Sequence, residues 1–412
     1  MRPTGIEDAD AYLGLACVDV EDLVAARGMD PVRMRNLGMV RKTVPLPGED
    51  VVTCAVNAAT PLLARLDPAR LATIELCVVG TESGIDLSKS AAAWIHGLLP
   101  LPRTCRVMEI KQACYAGVAA LQTAAAHLAA ADREARALVI GCDVPRPIRG
   151  STAEPSQGAG AVAFLLGPDA RLARAEHGAA GYHSFDVDDV RRPTPTDHVW
   201  DPDTSLLSYV RCLKEAFADY RRHRPGTDFL TTFDHLAFHT PFPGAVKGAH
   251  RSLMRGQGPH PPARIEADFT RRLRASLRHP EQVGNLYAGT TLLALLSVID
   301  HAEPAEHTER VGVFSYGSGC SAEFCSYLLP AGRSPREGRD LTRALDARRL
   351  LDIDAYDTIC DATDRLYAGV PDHVPDLTLT RELAASSPYP LLALERIEAH
   401  ARHYTRLEHT PT

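Results

Sequence analysis

The sequence predicts an α/β protein with largely buried sheets. Short apolar runs such as TIELCVVG (73–80), ALVIGC (137–142) and GAVAFLL (160–166) have the length and composition of buried strands. Helical patterns lie between them, among them LSKSAAAWIHGLL (87–99) and the alanine-rich stretch that starts at Cys114. This alternation is typical of folds in which helices cover the faces of a sheet.

The chain is too long for one compact core. Its 412 residues predict two domain-sized halves, 1–170 and 171–330. The second half repeats the alternation, with helices near 205–222, 245–254 and 285–300, a strand at 235–240 and a hairpin at 311–329. A polar, proline-bearing stretch at 186–204 predicts a long loop between the halves, and residues 331–412 predict a charged C-terminal extension.

Composition disfavours several classes of protein. Hydrophobic residues make up 45% and charged residues 24% of the chain, as in soluble globular proteins, and the net charge of −7 disfavours general nucleic-acid binding. The stretch 112–131 is uncharged and nearly long enough to span a bilayer, but it is mostly alanine with interspersed polar residues. We therefore expect a buried helix there and no membrane segment.

Ten cysteines occur without a CxxC pair, which gives no support for a zinc knuckle or a thioredoxin-type motif. Several lie in apolar runs, where free cysteine behaves as a small hydrophobic residue. We expect a reducing, cytoplasmic environment and no metal site.

The segment EIKQACYAGVAAL (109–121) gives the strongest catalytic signal. Cys114 follows a short apolar run and opens a helix of small residues. Free N–H groups and the helix dipole at such a position favour thiolate over thiol, so Cys114 is a candidate nucleophile. The alternative is that it is one of ten structural thiols.

Two further segments place titratable side chains just after apolar strands. Glu82 follows VVG in VVGTESGID (78–86), where partial shielding from water would raise its pKa towards the range useful for proton transfer. His239 ends an apolar strand before a Thr-Pro turn, at the sheet end where open α/β folds place their sites. An ordinary surface glutamate and a structural histidine are the alternatives.

Two glycine-containing segments complete the set of candidates. GNLYAGTT (284–291) offers the amide of Asn285 and the phenol of Tyr287 for orienting a substrate. In FSYGSGCSAEF (314–324), the turn at Gly317 and Ser318 can direct backbone N–H groups towards an oxyanion. Such turns are common, so each segment is weak evidence when taken alone.

Together these segments resemble the 3-hydroxy-3-methylglutaryl-CoA (HMG-CoA) synthase family of the thiolase superfamily, over residues 5–330. The matching pieces, in the family's order, are GTESGID, QACYAG, EPSQGAGAVAFLL, FHTPF, GNLYAG and SYGSG. The resemblance implies a five-layered αβαβα sandwich of two related halves, normally a homodimer. It also implies a nucleophile at Cys114, an acid–base at Glu82, an orienting His239, a supporting Asn285, and an oxyanion hole formed by the N–H groups of Ser318 and Cys114.

The implied reaction is acyl transfer to Cys114, carbanion formation at the acyl methyl group, Claisen-like attack on a β-ketoacyl thioester, and hydrolysis. No metal or redox cofactor is needed. Residues 201–217 and 239–256 look like the polyketide β-branching branch of the family, whose acetyl or propionyl donor and whose acceptor are bound to acyl carrier proteins. A displaced basic patch would suit docking of an acidic carrier protein; its candidate residues are Lys247, His250, Arg251 and Arg255.

One segment departs from the family pattern. CDVPRPIRG (142–150) has Arg146 and Pro147 where the primary-metabolism enzymes usually carry a tyrosine, so the second-substrate pocket is not carried over. Three alternative functions remain open: a primary-metabolism HMG-CoA synthase, a ketosynthase of the kind that initiates fatty acid synthesis, and a non-catalytic scaffold that binds carrier proteins. Glu82 discriminates against the ketosynthase, which does not need such a carboxylate.

Overall fold

A computed structural model describes residues 2–194, 197–367 and 369–408. The strands are β1 (Gly5–Tyr12), β2 (Ala16–Asp19), β3 (Arg41–Val44), β4 (Ile74–Gly80), β5 (Arg106–Ile110), β6 (Arg136–Asp143), β7 (Gly160–Gly167), β8 (Ala173–Ser184), β9 (Val190–Arg191), β10 (Val199–Trp200), β11 (His235–Phe238), β12 (Glu309–Gly317), β13 (Ser321–Leu329), β14 (Arg349–Leu351), β15 (Leu392–Glu398) and β16 (Ala401–Arg406).

The helices lie between these strands. They are α1 (Val20–Ala26), α2 (Pro31–Arg35), α3 (Val51–Ala64), α4 (Pro68–Ala72), α5 (Ala91–Leu98), α6 (Ala116–Ala130), α7 (Pro202–His223), α8 (Pro243–Gly256), α9 (Pro262–Leu277), α10 (Pro280–Val283), α11 (Thr290–His301), α12 (Leu341–Asp346), α13 (Ile353–Tyr367) and α14 (Thr378–Ala384).

The main sheet has the strand order β11-β12-β13-β8-β1-β7-β6-β4-β5. Its two halves meet where β1 pairs with β8, and only Gly5 and Ile6 of β1 take part in that pairing. The sheet therefore consists of a first part, β1-β7-β6-β4-β5, and a second part, β11-β12-β13-β8. The predicted division near residue 170 falls just before β8.

Alternating residues of the strands supply separate hydrophobic layers. In β4, Leu76 and Val78 pack in a core that also contains α6 and α11, whereas Cys77 and Val79 pack on the other face in a core with α3 and α5. The central core also contains residues of β12, and a third core joins the outer face of the second part to α7 and α8. This period-two division gives helix, sheet, helix, sheet and helix layers, which confirms the predicted five-layered sandwich.

The predicted strands agree with the structure, but three helices begin later than predicted. The helix predicted from 87 begins at Ala91, because Asp86 first accepts bonds from the backbone N–H groups of Ser88 and Lys89. The helix expected from Cys114 begins at Ala116. The helix predicted from 285 begins at Thr290, after a turn held by the Asn285 side chain.

Residues beyond 331 contact both halves: Arg336 pairs with Asp300 of α11, and the later elements fold against the first half. Strand β14 pairs with β2, and Asn57 of α3 exchanges two hydrogen bonds with the backbone of Leu392, at 2.7 and 3.1 Å. Arg27 bridges Glu154 and Asp357. The predicted extension is therefore packed into the fold as far as residue 408. Within the described chain, no helix is both long and apolar enough to cross a membrane.

Candidate active site

Three parallel strands deliver the candidate site to one edge of the sheet. Strands β4, β5 and β6 run parallel, so Glu82 after β4, Cys114 after β5 and Asp143 at the end of β6 meet at their carboxyl ends. The Cys114 Sγ lies 3.9 Å from the Glu82 Oε2, with the thiol as donor. The structure thus brings together the predicted nucleophile and the predicted acid–base.

Small residues allow the Cys114 turn to approach β4. Ala113 adopts a left-handed conformation with φ of 46°. A Cβ on Gly80 would lie 2.6 Å from the backbone of Ala116, and a Cβ on Gly117 would lie 2.0 Å from the carbonyl oxygen of Ala288. A larger side chain at Gly80 would force the start of α6 away from the sheet, and one at Gly117 would force it away from the turn before α11; either would move Cys114.

Asp143 is a site residue that the sequence analysis missed. It is fully buried, and its Oδ1 accepts hydrogen bonds from the Thr81 hydroxyl and the Glu82 backbone N–H, both at 2.9 Å. Its Oδ2 accepts from the backbone N–H of Ala288 at 2.8 Å. The carboxylate therefore fixes the Glu82 backbone to the turn before α11. Its position directly after an apolar strand is the same signal that identified Glu82.

Arg192 also escaped the sequence analysis. It belongs to the predicted loop at 186–204, most of which lies between and around the short strands β9 and β10. Its Nη2 donates to the backbone oxygen of Glu82 at 2.7 Å and to its Oε1 at 2.6 Å. No local pattern in the loop distinguishes this arginine from Arg191, so the sequence carried no signal for it.

Burial controls the protonation of both reacting groups. It raises the pKa of Glu82 to about 7; Arg192 opposes the rise and Asp143 adds to it. Burial, then the carboxylates of Glu82 and Asp143, raise the pKa of Cys114 well above its usual value. The expectation of a thiolate stabilised by a helix N-terminus is therefore wrong. Cys114 precedes the helix and faces carboxylates, so it is a thiol that needs a base.

His239 occupies a different environment at the end of β11. Its backbone N–H donates to the Phe314 oxygen at 2.7 Å, and its backbone oxygen accepts from the Tyr209 hydroxyl at 2.7 Å. The side chain is 2% exposed, and its Nδ1 has no hydrogen-bond partner among the described residues. Burial lowers its pKa to about 3, so the imidazole is neutral at physiological pH.

The end of β12 connects the two halves of the site. A Cβ on Gly317 would lie 2.3 Å from the backbone oxygen of Gln112, so this glycine permits contact with the Cys114 turn. Asp189, buried and also missed from sequence, accepts from the Tyr316 hydroxyl at 2.6 Å and from the Gly319 N–H at 3.0 Å. It thereby holds the turn that contains Ser318, whose oxyanion role stays a prediction.

Asn285 and Tyr287 form one unit before α11. The Asn285 Oδ1 accepts from the Tyr287 backbone N–H at 2.8 Å and from the Thr290 hydroxyl at 2.7 Å. These bonds support Tyr287 in a left-handed conformation with φ of 49°. The Tyr287 hydroxyl accepts from Gln157 at 3.0 Å. The side-chain oxygen of Asn285 is thus committed to the turn, while the amide NH₂ remains its hydrogen-bond donor.

The proposed docking residues divide along the faces of α8. Lys247, Arg251 and Arg255 are exposed, and the Lys247 Nζ lies 2.8 Å from the Glu266 Oε1. His250 is completely buried and lies 2.8 Å from Asp268, so its assignment to a docking surface is wrong. Helical periodicity explains this, because position 250 shares the inward face of α8 with Val246.

The departure noted at Arg146 has a structural partner. The Arg146 guanidinium bonds to both carboxylate oxygens of Asp364, at 3.1 and 3.0 Å. Asp364 belongs to α13, so the C-terminal segment fixes the region where the family's tyrosine would stand.

Comparisons with known proteins identify the family of the chain. Residues 2–171 match the family described as hydroxymethylglutaryl-coenzyme A synthase N terminal, and residues 263–375 match its C-terminal counterpart. The chain is 38% identical to the polyketide biosynthesis 3-hydroxy-3-methylglutaryl-ACP synthase PksG of Bacillus subtilis, over 98% of this chain and 99% of that protein. It is 32% identical to the hydroxymethylglutaryl-CoA synthase of Enterococcus faecalis, over 93% and 96%.

Solved structures give the same result. The HMG synthase of the curacin biosynthetic pathway, in complex with apo donor-ACP, superposes with a TM-score of 0.92 at 38% identity, covering 98% of this chain and all of that one. The structure of PksG superposes with a TM-score of 0.94 at 38% identity, over 99% of this chain. The chain therefore belongs to the hydroxymethylglutaryl-CoA synthase family, and its fold is that of the thiolase superfamily.

Proposed function

We propose that this protein is an acyltransferase of polyketide β-branching. It would condense an acetyl or propionyl group, loaded on Cys114 from an acyl carrier protein, with a β-ketoacyl thioester on a second carrier protein. The observation that carries the proposal is the 3.9 Å contact between the Cys114 thiol and the Glu82 carboxyl group. Such a condensation needs a nucleophile to hold the acyl group and, beside it, a group that removes a proton from it.

Loading of the enzyme is the first step. Glu82 takes the proton of the Cys114 thiol, and the sulfur attacks the thioester carbonyl of the donor. The bond from that carbonyl to the pantetheine sulfur breaks, and the proton on Glu82 passes to the departing thiolate. Glu82 is then ionised again, beside an acyl-Cys114 thioester. A Glu82 pKa of about 7 suits both directions of transfer.

Condensation and release follow at the same residues. Glu82 removes a proton from the acyl carbon next to the Cys114 thioester, and the resulting carbanion adds to the β-keto carbon of the acceptor. The new alkoxide takes the proton back from Glu82. Water then cleaves the Cys114 thioester, leaving a carboxylate on the product. Neutral His239 and the Asn285 amide would orient the carbonyl oxygens, and the reaction needs no metal or redox cofactor.

Carrier-bound substrates are favoured over free coenzyme A for two reasons. Identity is higher to the polyketide enzyme of Bacillus subtilis, at 38%, than to the hydroxymethylglutaryl-CoA synthase of Enterococcus faecalis, at 32%. In addition, structures of the curacin enzyme include complexes with apo, holo and acetyl donor-ACP. A ketosynthase would leave the contact between Glu82 and Cys114 unexplained, and a scaffold would not need it.

A homodimer is part of the proposal. Strand β5 forms the outer edge of the first part of the sheet, and its Met108 and Ile110 are only half-buried. An apolar free edge of this kind is a template for pairing with a second copy. The location proposed is the cytoplasm, where the ten buried thiols would stay reduced.

Intact-protein mass spectrometry tests the proposed function. The protein should gain an acetyl or propionyl mass from a loaded carrier protein and transfer it to a β-ketoacyl carrier protein, whose mass rises accordingly. Faster loading from acetyl-coenzyme A than from the carrier protein would place the protein with the primary-metabolism enzymes. Absence of any covalent adduct would support the scaffold alternative.

A further inference from the structure

The loop between the halves places a guanidinium directly on the candidate acid–base. The Arg192 side chain is 21% exposed and that of Glu82 is 12% exposed, so their contact is shielded from solvent. One nitrogen of Arg192 donates both to the backbone oxygen of Glu82 and to its Oε1, at 2.7 and 2.6 Å. The other carboxylate oxygen, Oε2, faces the Cys114 thiol.

We infer that Arg192 is a positioning residue for Glu82. It fixes one oxygen of the carboxylate, turns the other towards Cys114, and supplies a positive charge that favours the ionised form in a buried site. The inference rests on the proposed function for what Glu82 does, and it adds which residue sets its orientation and charge. Because Arg192 belongs to the loop between the halves, the position of that loop affects the orientation and the charge of Glu82.

Other charged groups around the pair have different tasks. Asp143 approaches Glu82 from β6, but its oxygens accept from Thr81, the Glu82 N–H and the Ala288 N–H. Lys111 and the Cys114 thiol also face Glu82, and both lower its pKa less than Arg192 does.

Further groups face Arg192 itself. Asp143, Tyr287 and Cys114 raise the pKa of its guanidinium, as Glu82 does, and outweigh the lowering by burial. His198 also lies beside it; burial, then Arg192 and Arg146, lower the pKa of this imidazole to about 4. His198 is therefore neutral near pH 7 and does not replace the charge of Arg192.

The sign of the expected effect follows from the charge. Without a cation, the pKa of Glu82 rises further, since an opposite charge within 4–6 Å lowers a carboxyl pKa by roughly 1–3 units. A smaller fraction of Glu82 is then ionised at pH 7. Every step that uses ionised Glu82 should slow at least about fivefold there and should recover as the pH is raised.

Two variants and one control separate positioning from a merely structural role. Arg192→Gln removes the charge, and Arg192→Lys keeps it. Arg191→Gln removes the neighbouring charge, whose side chain is 52% exposed and lies 3.4 Å from Asp188. Two readouts serve each protein: the pH profile of Cys114 alkylation by iodoacetamide, which needs no substrate, and the pH profile of condensation after acetyl loading.

In Arg192→Gln, the rising limb of both profiles should move to higher pH by about one unit or more. In Arg192→Lys and Arg191→Gln, it should stay close to its wild-type position. An unshifted alkylation profile in Arg192→Gln overturns the inference, whatever the acyl-transfer activity. The inference is also overturned if Arg192→Gln and Arg192→Lys lose rate equally while the rising limb of the pH profile stays at its wild-type position. Failure of the wild-type protein to load an acyl group overturns the proposed function instead, and the alkylation profile still decides the role of Arg192.

Discussion

The titratable groups that the two halves of the molecule contribute respond to burial in opposite ways. The first half contributes Glu82, Cys114 and Asp143, ionisable groups close enough to perturb one another, and burial raises the pKa of each. The second half contributes the Arg192 guanidinium, which contacts Glu82, and His239 beside the Tyr209 ring, where burial lowers the pKa of the imidazole to about 3. Burial acts on both sides, yet it leaves a proton-exchanging pair on one and a permanently neutral group on the other.

The difference indicates a division of labour. Burial disfavours the charged form, so it brings a carboxylic acid towards neutral pH and drives an imidazole away from it. We therefore expect the protons to be exchanged by groups of the first half, with Arg192 of the second half supplying charge and His239 supplying only neutral hydrogen bonds. The predictions below test that division, beginning with the largest expected effect.

Removal of the nucleophile should abolish covalent chemistry in the first half. Cys114→Ser should form no acyl adduct, and turnover should fall on the order of 10⁶-fold, as when a covalent nucleophile is removed from other enzymes. Peptide mass spectrometry after incubation with acetyl-loaded carrier protein measures the adduct. Cys105→Ser, a change at a buried thiol with 6% exposure just before β5, is the matched control. An adduct on Cys142 or Cys320 would show the assignment to be wrong.

Removal of the acid–base should slow both loading and condensation while leaving the nucleophile in place. Glu82→Gln keeps the size of the side chain and its contact with Arg192, but it cannot take the proton of the Cys114 thiol, so the acetyl adduct should form more slowly. Condensation should slow by about 10²–10⁴-fold, the usual contribution of a general acid–base. In the wild-type protein the condensation rate should rise as pH passes through about 7, where Glu82 ionises, and this limb should vanish in the variant. Condensation at the wild-type rate in the variant would show that Glu82 is not the acid–base.

A change at His239 should lower the rate without moving the pH profile. His239→Ala removes a neutral hydrogen-bonding group, for which a loss of about 10²-fold is typical, and His239→Asn should recover part of it. Since the pKa of His239 is about 3, the limb near pH 7 should stay where it is in the wild-type protein. Steady-state rates from pH 5.5 to 9 check this. A limb that moves in His239→Asn would mean that the second half also exchanges protons.

Features of the site that follow from the order of strands and helices could be predicted from the sequence. Features that depend on tertiary contacts could not. The contact between Glu82 and Cys114 could be predicted because each residue follows an apolar strand, and parallel strands end at one edge. The protonation state of Cys114 could not, because it depends on carboxylates from β4 and β6 that only the folded chain brings near. Arg192 lay in a polar loop without periodicity, and its role depends on a contact across 110 positions.

Helix α8 shows a similar limit of sequence-based prediction for residues at the surface. Its basic residues are visible in the sequence, but the face that each occupies follows from the rotation of the helix. That rotation buries His250 beside Asp268 and leaves Lys247, Arg251 and Arg255 outside. A set of four candidate docking residues therefore becomes a set of three.

The smallest effect is expected at this exposed face of α8. Lys247→Glu combined with Arg251→Glu should slow transfer from an acetyl-loaded carrier protein several-fold more than transfer from acetyl-coenzyme A, because surface charges act mainly on encounter with an acidic partner. Lys247 already pairs with Glu266, and exposed pairs are individually weak, so neither single change should do much. Rising salt should mimic the double variant, since attraction at a surface is screened within about 10 Å at 0.1 M.

The control reverses two exposed arginines of the C-terminal segment, Arg343→Glu with Arg349→Glu, which alters the net charge equally. Loading reactions are quenched at a series of times and at several salt concentrations. Intact-protein mass spectrometry of these samples gives the association rates. A general charge effect would slow loading in both double variants alike, whereas docking at α8 slows it only in the first. Equal slowing with both donors would mean that this face of α8 contributes to the site itself rather than to encounter, because coenzyme A brings no acidic protein surface.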